Sequence, residues 1–409
     1  MFGRHGNHVF TQGFFADEGL DFETRIALGQ CASGAADAGE VLSTIARVTD
    51  EGSWFREFGA TAARVQAGAE ASAKRGHPVS AGSAYLRAAG YWAMAMGGLV
   101  GADDGAALTK TFRAHRDCWD GFIEASQSRF VPVSVPYEGT TLPGWLLRPD
   151  DSGRPRPTLV MTNGSDGPIS SLWATGAASA LERGWNVFVY DGPGQQSLLF
   201  ERGVPFRHDW EAVLTPVVDA LLERPDVDAA RLTAYGISQA GYWLPRALAF
   251  EHRFVAAVAD PGVVDVSTSW TEHLPKNMIK MLDEGDRAAF DRNMGIALKM
   301  PSLRRQMTFR ARPYQHDDLF DLFTEVRRYD LTAVAGDIRT PLMICNPEGE
   351  QFWPGQSERL AALVSTSHLV GFTAAEGANF HCQPMARLLT HERMFDWLDE
   401  QTALNLDDA

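Results

Sequence analysis

From about residue 130 onward, short apolar runs alternate with longer segments of helical period. The runs are Phe130 to Tyr137, Leu142 to Pro149, Pro157 to Met161, Trp185 to Tyr190, a run ending at Gly236, Phe254 to Ala259, Pro341 to Cys345 and His368 to Thr373. Unbroken apolar runs of this length predict strands buried on both faces, and the helical segments between them predict a mostly parallel, doubly wound α/β sheet. The Asp150 to Pro157 segment, rich in proline and charge, reads as a turn inside this unit. Residues 1–128 differ. They are alanine-rich, carry no strand alternation, and show helical periods over Phe22 to Ala46, Ser53 to Lys74, Ser80 to Leu99 and Ala106 to Ser126. A second strand-free interval, Val264 to Ile338, interrupts the sheet pattern between its sixth and seventh strands, with helical stretches at Pro275 to Leu282 and Leu319 to Tyr329. The expected organisation is a helical N-terminal domain over 1–128 and an α/β domain over 129–409 with a helical insertion at about 264–338.

The strongest local chemistry lies at Thr233-Ala-Tyr-Gly236-Ile-Ser238-Gln-Ala240-Gly241, where a strand gives way to a helix running from Tyr242 to Phe250. Small residues two before and two after Ser238 permit a turn that pushes the hydroxyl out at its tip, with the first helical N–H groups aimed at whatever it attacks. A serine so placed needs a base and an acid further along the chain, each just after a later strand. The base is His381, in the Ala375-Glu-Gly377-Ala-Asn-Phe-His381-Cys loop between the last strand and a terminal helix over Met385 to Leu398; of the eleven histidines it alone has this address. For the acid, Glu350 has the right spacing in the loop after Pro341 to Cys345, with Pro354 four residues on. Glu348 and Asp260 are the alternatives. The loop Thr162-Asn-Gly164-Ser165-Asp166-Gly167 and the residue after the serine, Gln239, are placed to supply the two N–H donors of an oxyanion hole, from near Ser165 and from Gln239.

Four motifs carry a family resemblance: Asn163-Gly-Ser-Asp-Gly, Tyr190-Asp-Gly-Pro-Gly-Gln, Gly236-Ile-Ser-Gln-Ala-Gly and Glu376-Gly-Ala-Asn-Phe-His-Cys. Over residues 130 to 405 the chain resembles the α/β-hydrolase superfamily, in the branch of 2,6-dihydroxypseudooxynicotine hydrolase, the FrsA-like esterases and the polyketide-shortening hydrolases. The resemblance implies a helical cap from the N-terminal part and a lid from the insertion. It also implies an auxiliary carboxylate in the oxyanion loop, a position matched by Asp166. This chain departs from the branch in having aspartate there, glutamate as the triad acid, and Ala240 in the elbow. Capping of a helix starting near Ile169 is the other reading of Asp166.

The function expected is serine hydrolysis of a small-molecule ester, lactone or ketone-adjacent C–C bond, in secondary metabolism or aromatic catabolism. An acyltransferase or cyclase using the same residues, and a non-catalytic binding module, are the competing classes. Tyr91 and Arg87, one helical turn apart, fit either a pocket wall or packing between helices; Met278, Met281, Met294, Met300 and Met307 fit either an adaptable lid or core filling.

Composition narrows the setting. A chain of 409 residues exceeds one ordinary core, and 45% hydrophobic residues are ample to build it. A formal charge of −15 argues against nucleic acid and anionic membrane as partners. Cys31, Cys118, Cys345 and Cys382 lack metal-ligand spacing and read as reduced thiols. Met1-Phe-Gly-Arg-His-Gly carries no apolar leader, and no apolar stretch is long enough for a membrane span. The expectation is a cytoplasmic enzyme without metal or organic cofactor, its partner a small-molecule substrate, with a homodimer left open.

Overall fold

In a computed structural model the structure describes residues 13–99 and 104–407. Residues 1–12, including the start of the expected N-terminal region, lie outside the described residues.

Among the described residues, five α-helices precede the sheet: α1 (Glu18–Gly29), α2 (Ala38–Ile45), α3 (Glu51–Lys74), α4 (Pro78–Gly97) and α5 (Gly105–Ala125). The continuous helix expected over Phe22 to Ala46 is instead two. Gly34, at φ 71, ends a short 3₁₀ turn after α1. Asp37 then restarts the chain, its carboxylate accepting from the N–H groups of Gly39 and Glu40. Asp50 and Ser53 form a capping box on α3, and Pro78 occupies the first turn of α4. Trp54, Phe58, Tyr91 and Met94 make the core of this layer.

The sheet has eight strands: β1 (Phe130–Tyr137), β2 (Thr140–Leu147), β3 (Arg156–Thr162), β4 (Asn186–Tyr190), β5 (Val227–Ile237), β6 (Ala256–Asp260), β7 (Leu342–Pro347) and β8 (Ser367–Phe372). Their order is β1-β2-β4-β3-β5-β6-β7-β8. β1 and β2 form a hairpin whose turn, Glu138-Gly139, has positive φ at both residues. That turn sets β2 two residues earlier than its apolar run suggested. β2 pairs antiparallel with β4, and every later pairing is parallel.

Side-chain alternation divides the interior into two layers. Val160, Phe188 and Tyr190 point to one face, where Trp210 and Trp243 stack at 4.4 Å. Leu159, Met161, Val187 and Val189 point to the other, against Trp119 and Phe122 of α5 and Met394, Phe395 and Leu398 of the terminal helix (Arg387–Asp407). The insertion joins the first layer through Met278, Phe290, Met294 and Met307. Met281 is partly buried against the same core and Met300 is exposed, so this methionine set fills core more than it forms a soft surface. The two ends of the insertion are laced together: Leu331 N–H donates to Val264 O at 2.8 Å and Val266 N–H to Tyr329 O at 3.0 Å. All four cysteines are free. Among the described residues no helix is long and apolar enough to cross a membrane, and no group of His, Cys, Asp and Glu is arranged to hold a metal ion.

Candidate active site

β5 ends at Ile237, and the helix Ala240–Leu248 starts three residues later, so Ser238 sits in the tight turn between them. Its φ is 58°, in the left-handed region, a strain of about 1–3 kcal/mol for a residue other than glycine. Two backbone bonds hold it there: Ser238 N–H donates to Asp260 O at 2.6 Å, and Gly241 N–H donates to Ser238 O at 2.8 Å. A Cβ on Gly236 would stand 2.4 Å from Ala240 O, which explains the glycine. Gly241 is equally constrained, since a Cβ there would fall 1.8 Å from Pro261 O, so it too is a close-approach position. Ala240 is fully buried and its methyl is accommodated.

His381 Nε2 lies 2.9 Å from Ser238 Oγ. Its Nδ1 lies 2.9 Å from both Oε1 and Oε2 of Glu350. An ionised carboxylate only accepts, so Nδ1 carries the proton and Nε2 is left free to accept from the serine hydroxyl. Glu350 is fixed in turn by the N–H groups of Phe352 and Trp353, at 2.9 and 3.2 Å. Burial works to raise Glu350, yet the neighbouring imidazole and these N–H donors outweigh it and hold the carboxyl below its ordinary value. Burial likewise works against a charged His381, while Cys382 and Glu350 favour it, and the net direction is well upward. Glu350 is the partner that carries charge near neutral pH, because burial pushes the Cys382 thiol up and keeps it neutral.

The alternative acids are occupied elsewhere. Glu348 accepts from Ala374 N–H at 2.8 Å. Asp260 is fully buried and accepts from Tyr235 Oη and Gln383 Nε2, each at 2.9 Å. Neither carboxylate is hydrogen-bonded to the His381 ring.

The loop after β3 crosses directly over the serine: a Cβ on Gly164 would stand 2.7 Å from Ser238 Cβ and 3.1 Å from Oγ. Gly164 N–H is taken by Asn163 Oδ1 at 2.9 Å, which makes Ser165 N–H the next donor along the loop. Gln195 pins this loop, its Nε2 donating to Asn163 O at 2.7 Å and Gly164 O at 2.9 Å while its Oε1 accepts from Gly192 N–H at 2.8 Å. Of the two readings of Asp166, the helix cap is not seen: its carboxylate accepts from no N–H at the start of that helix. Asn163 Nδ2 instead ties the turn before Ile169, donating to Pro168 O at 2.9 Å, and the Asp166 carboxylate accepts from Ser165 Oγ at 3.3 Å.

Tyr91 and Arg87 are likewise away from the serine. Tyr91 Oη donates to Glu40 Oε2 at 2.8 Å and accepts from Asp37 N–H at 2.9 Å. Arg87 Nε meets the same Glu40 oxygen at 3.1 Å. They tie α4 to α2, the packing alternative, and do not wall a pocket at the serine.

The residues that sequence reasoning missed come from α1. Phe22 lies with its ring 6.4 Å from the His381 imidazole, beside Phe352 at 4.7 Å from it. Arg25 stands over Phe380 at 4.5 Å, and a Cβ on Gly29 would fall 1.7 Å from Pro384 O. Positions 22, 25 and 29 share one helical face, so α1 lies along the histidine loop. Glu23, next to that face, is raised to about 7 by burial and by the charge of Asp166. Asp166 is itself raised by burial, against the lowering effects of Ser165, its own N–H and His381. Asp166 is solvent-accessible and Glu23 partly so, yet protein surrounds both closely enough to raise them. Nothing in the periodicity of α1 marks Glu23, since its only signal is long-range.

The order of the strands, the turn at Ser238 and the loops around it place this architecture among known proteins. No protein-family model matches the chain. It is 29% identical to the hydrolase LUC6 of Fusarium sp over 98% of its own length and 100% of that protein. It is 31% identical to the alpha/beta hydrolase xenA of Xenoacremonium sinensis, over 65% of each chain. The chain belongs to the α/β-hydrolase family. Its fold also matches the crystal structure of 2,6-dihydroxy-pseudo-oxynicotine hydrolase, with a TM-score of 0.72, 19% identity, and coverage of 90% of this chain and 94% of that one. As an α/β-hydrolase it keeps the family's eight-stranded, mostly parallel sheet, with the insertion leaving that sheet between β6 and β7.

Proposed function

We propose that this α/β-hydrolase is a serine hydrolase of small-molecule carbonyl substrates, with Ser238 as nucleophile, His381 as base and Glu350 as the acid that orients it. The observation that carries the reading is the unbroken relay at 2.9 Å from Glu350 through His381 to Ser238 Oγ. As Oγ attacks the carbonyl carbon, its proton passes to His381 Nε2, and Glu350 stabilises the imidazolium without itself becoming protonated. The N–H groups of Gln239 and Ser165 are the donors we assign to the oxyanion. They are delivered by the helix start and by the loop that Gln195 pins. His381 returns the proton to the leaving group, and water then releases the acyl group by the same route.

In this reading α1 and the insertion cover the site. The helices of residues 1–128 act as cap and those of 264–338 as lid over the catalytic domain of 129–409. The substrate is an ester, a lactone or a ketone-adjacent C–C bond of a molecule small enough to enter beneath α1.

The test is labelling with a fluorophosphonate. A single covalent adduct is expected on Ser238, abolished in Ser238→Ala, together with hydrolysis of 4-nitrophenyl acetate that the same substitution reduces on the order of 10⁶-fold in kcat. Absence of an adduct on folded protein rejects the nucleophile.

A further inference from the structure

Resting on the Ser238 reading, we propose that Asp260 is a positioning residue: through Gln383, its side chain holds the histidine loop at the distance from Ser238 that proton transfer needs. The carboxylate touches neither catalytic group but is bonded to the chain segment of each. Oδ2 accepts at 2.9 Å from the hydroxyl of Tyr235, three residues before the nucleophile. Oδ1 accepts at 2.9 Å from Nε2 of Gln383, two residues beyond the base. The backbone repeats the pattern, since Asp260 O accepts from Ser238 N–H at 2.6 Å and from Cys382 Sγ at 3.1 Å. The Ser238 bond continues the parallel β5–β6 ladder, in which Ile237 stands opposite Asp260, and so is ordinary sheet pairing. The two carboxylate bonds lie outside that ladder. A fully buried carboxylate is a costly residue for packing alone, and both of its oxygens are spent on this bridge.

The backbone of the histidine loop shows what the bridge opposes. Cys382 and Gln383 both have positive φ, at 54° and 44°, a strain of about 1–3 kcal/mol each for residues other than glycine. Gln383 is fully buried, and Thr390 Oγ1 donates to its Oε1 at 3.2 Å, which leaves Nε2 facing Asp260. On the acid side the loop is tied separately. His381 N–H donates to Gln351 Oε1 at 3.2 Å, and Gly349 N–H donates to Asn379 O at 2.9 Å, besides the ring bond to Glu350. Loss of the bond between Asp260 and Gln383 therefore loosens the loop from β6 but leaves it on the β7 loop. The pair of Glu350 and His381 survives, and the contact from Nε2 to Ser238 Oγ opens.

Donor and acceptor can be exchanged across this bond. Gln383→Met removes the donor. Gln383→Glu sets two carboxylates against each other. Adding Asp260→Asn to Gln383→Glu restores the bond with its direction reversed: the amide of the aspartate replacement donates across to the carboxylate, while its oxygen still accepts from Tyr235.

The experiment measures kcat and KM for 4-nitrophenyl acetate, the rate of fluorophosphonate labelling of Ser238, and Tm, in wild type, both single variants at position 383 and the double variant. Each single variant is expected to lower kcat and the labelling rate on the order of 100-fold, the cost of misplacing a catalytic group by about 1 Å, with KM within about twofold. The double variant should recover most of that loss. An acid role for Asp260 predicts the opposite, because Asp260→Asn would then deepen it. Lowered Tm with wild-type kcat in folded Gln383→Met would make the bridge merely structural and overturn the proposal, as would a double variant no more active than Gln383→Glu. Failure of the underlying reading has its own signature, the absence of any labelling of Ser238 in the wild-type protein.

Discussion

Gly164 lies so close over Ser238 that a methyl group on its Cα would stand 2.7 Å from the serine Cβ. Contact on that scale has no room to relax, because Gln195 holds the carbonyls on either side. Gly164→Ala is therefore expected to displace the loop from the serine and lower kcat on the order of 100-fold, the cost of losing one oxyanion donor. Thermal stability should change far less. Retention of wild-type kcat in a soluble Gly164→Ala protein would show that this loop does not serve the reaction.

The two glutamates of the β7 loop should separate cleanly. Glu350→Gln leaves the geometry but cannot fix the imidazole tautomer or offset its charge, so kcat is expected to fall on the order of 10⁴-fold. Glu348→Gln keeps an oxygen that accepts from Ala374 N–H, away from the imidazole, and should leave kcat within about twofold. Steady-state kinetics of the two variants decide it, and equal effects would contradict the assignment of the acid.

The raised Glu23 carboxyl links stability to pH. Its folded value of about 7 exceeds its ordinary 4.5, so the folded state binds that proton more tightly than the unfolded chain. The resulting stabilisation is complete below about 4.5 and is lost as pH rises through about 7. Glu23→Gln should flatten the decline of Tm between pH 5 and pH 8 relative to wild type, because all other groups are shared. Identical pH dependence of Tm in the two proteins would place Glu23 in ordinary solvent.

Tyr91 gives the opposite kind of variant. Its hydroxyl bridges Glu40 and the Asp37 N–H inside the N-terminal layer. Tyr91→Phe leaves both without that partner and should cost about 1–3 kcal/mol of stability by denaturant unfolding. Activity per folded molecule should be unaffected. A lower kcat with unchanged stability would return Tyr91 to the substrate pocket.

Local signals carried much of this architecture. Ser238, His381 and Glu350 could each be found because a turn, a loop and a strand end are local features written in consecutive residues. The eight apolar runs found the strands for the same reason, and their edges slipped only where turn chemistry, such as Glu138-Gly139, extended the pairing. Contacts between remote segments were not legible. The alanine-rich period of the first helix gave no hint of the break at Gly34 and Asp37. Nor did it reveal that Glu23 comes within electrostatic reach of Asp166, 143 positions away, since that exists only once α1 is laid on the histidine loop. Tyr91 and Arg87 stayed open between two readings for the same reason: a polar pair on an apolar stripe looks alike whether it meets a ligand or, as here, Glu40 of α2.

The laced stem of the insertion has an engineering consequence. Because Val264 and Val266 pair with Leu331 and Tyr329, the chain leaves and rejoins the sheet at nearly one point. The segment between β6 and β7 also contributes Met278, Phe290, Met294 and Met307 to the core on one face of the sheet. A different helical segment that refills that core could be spliced onto the same two ends as one contiguous stretch of gene.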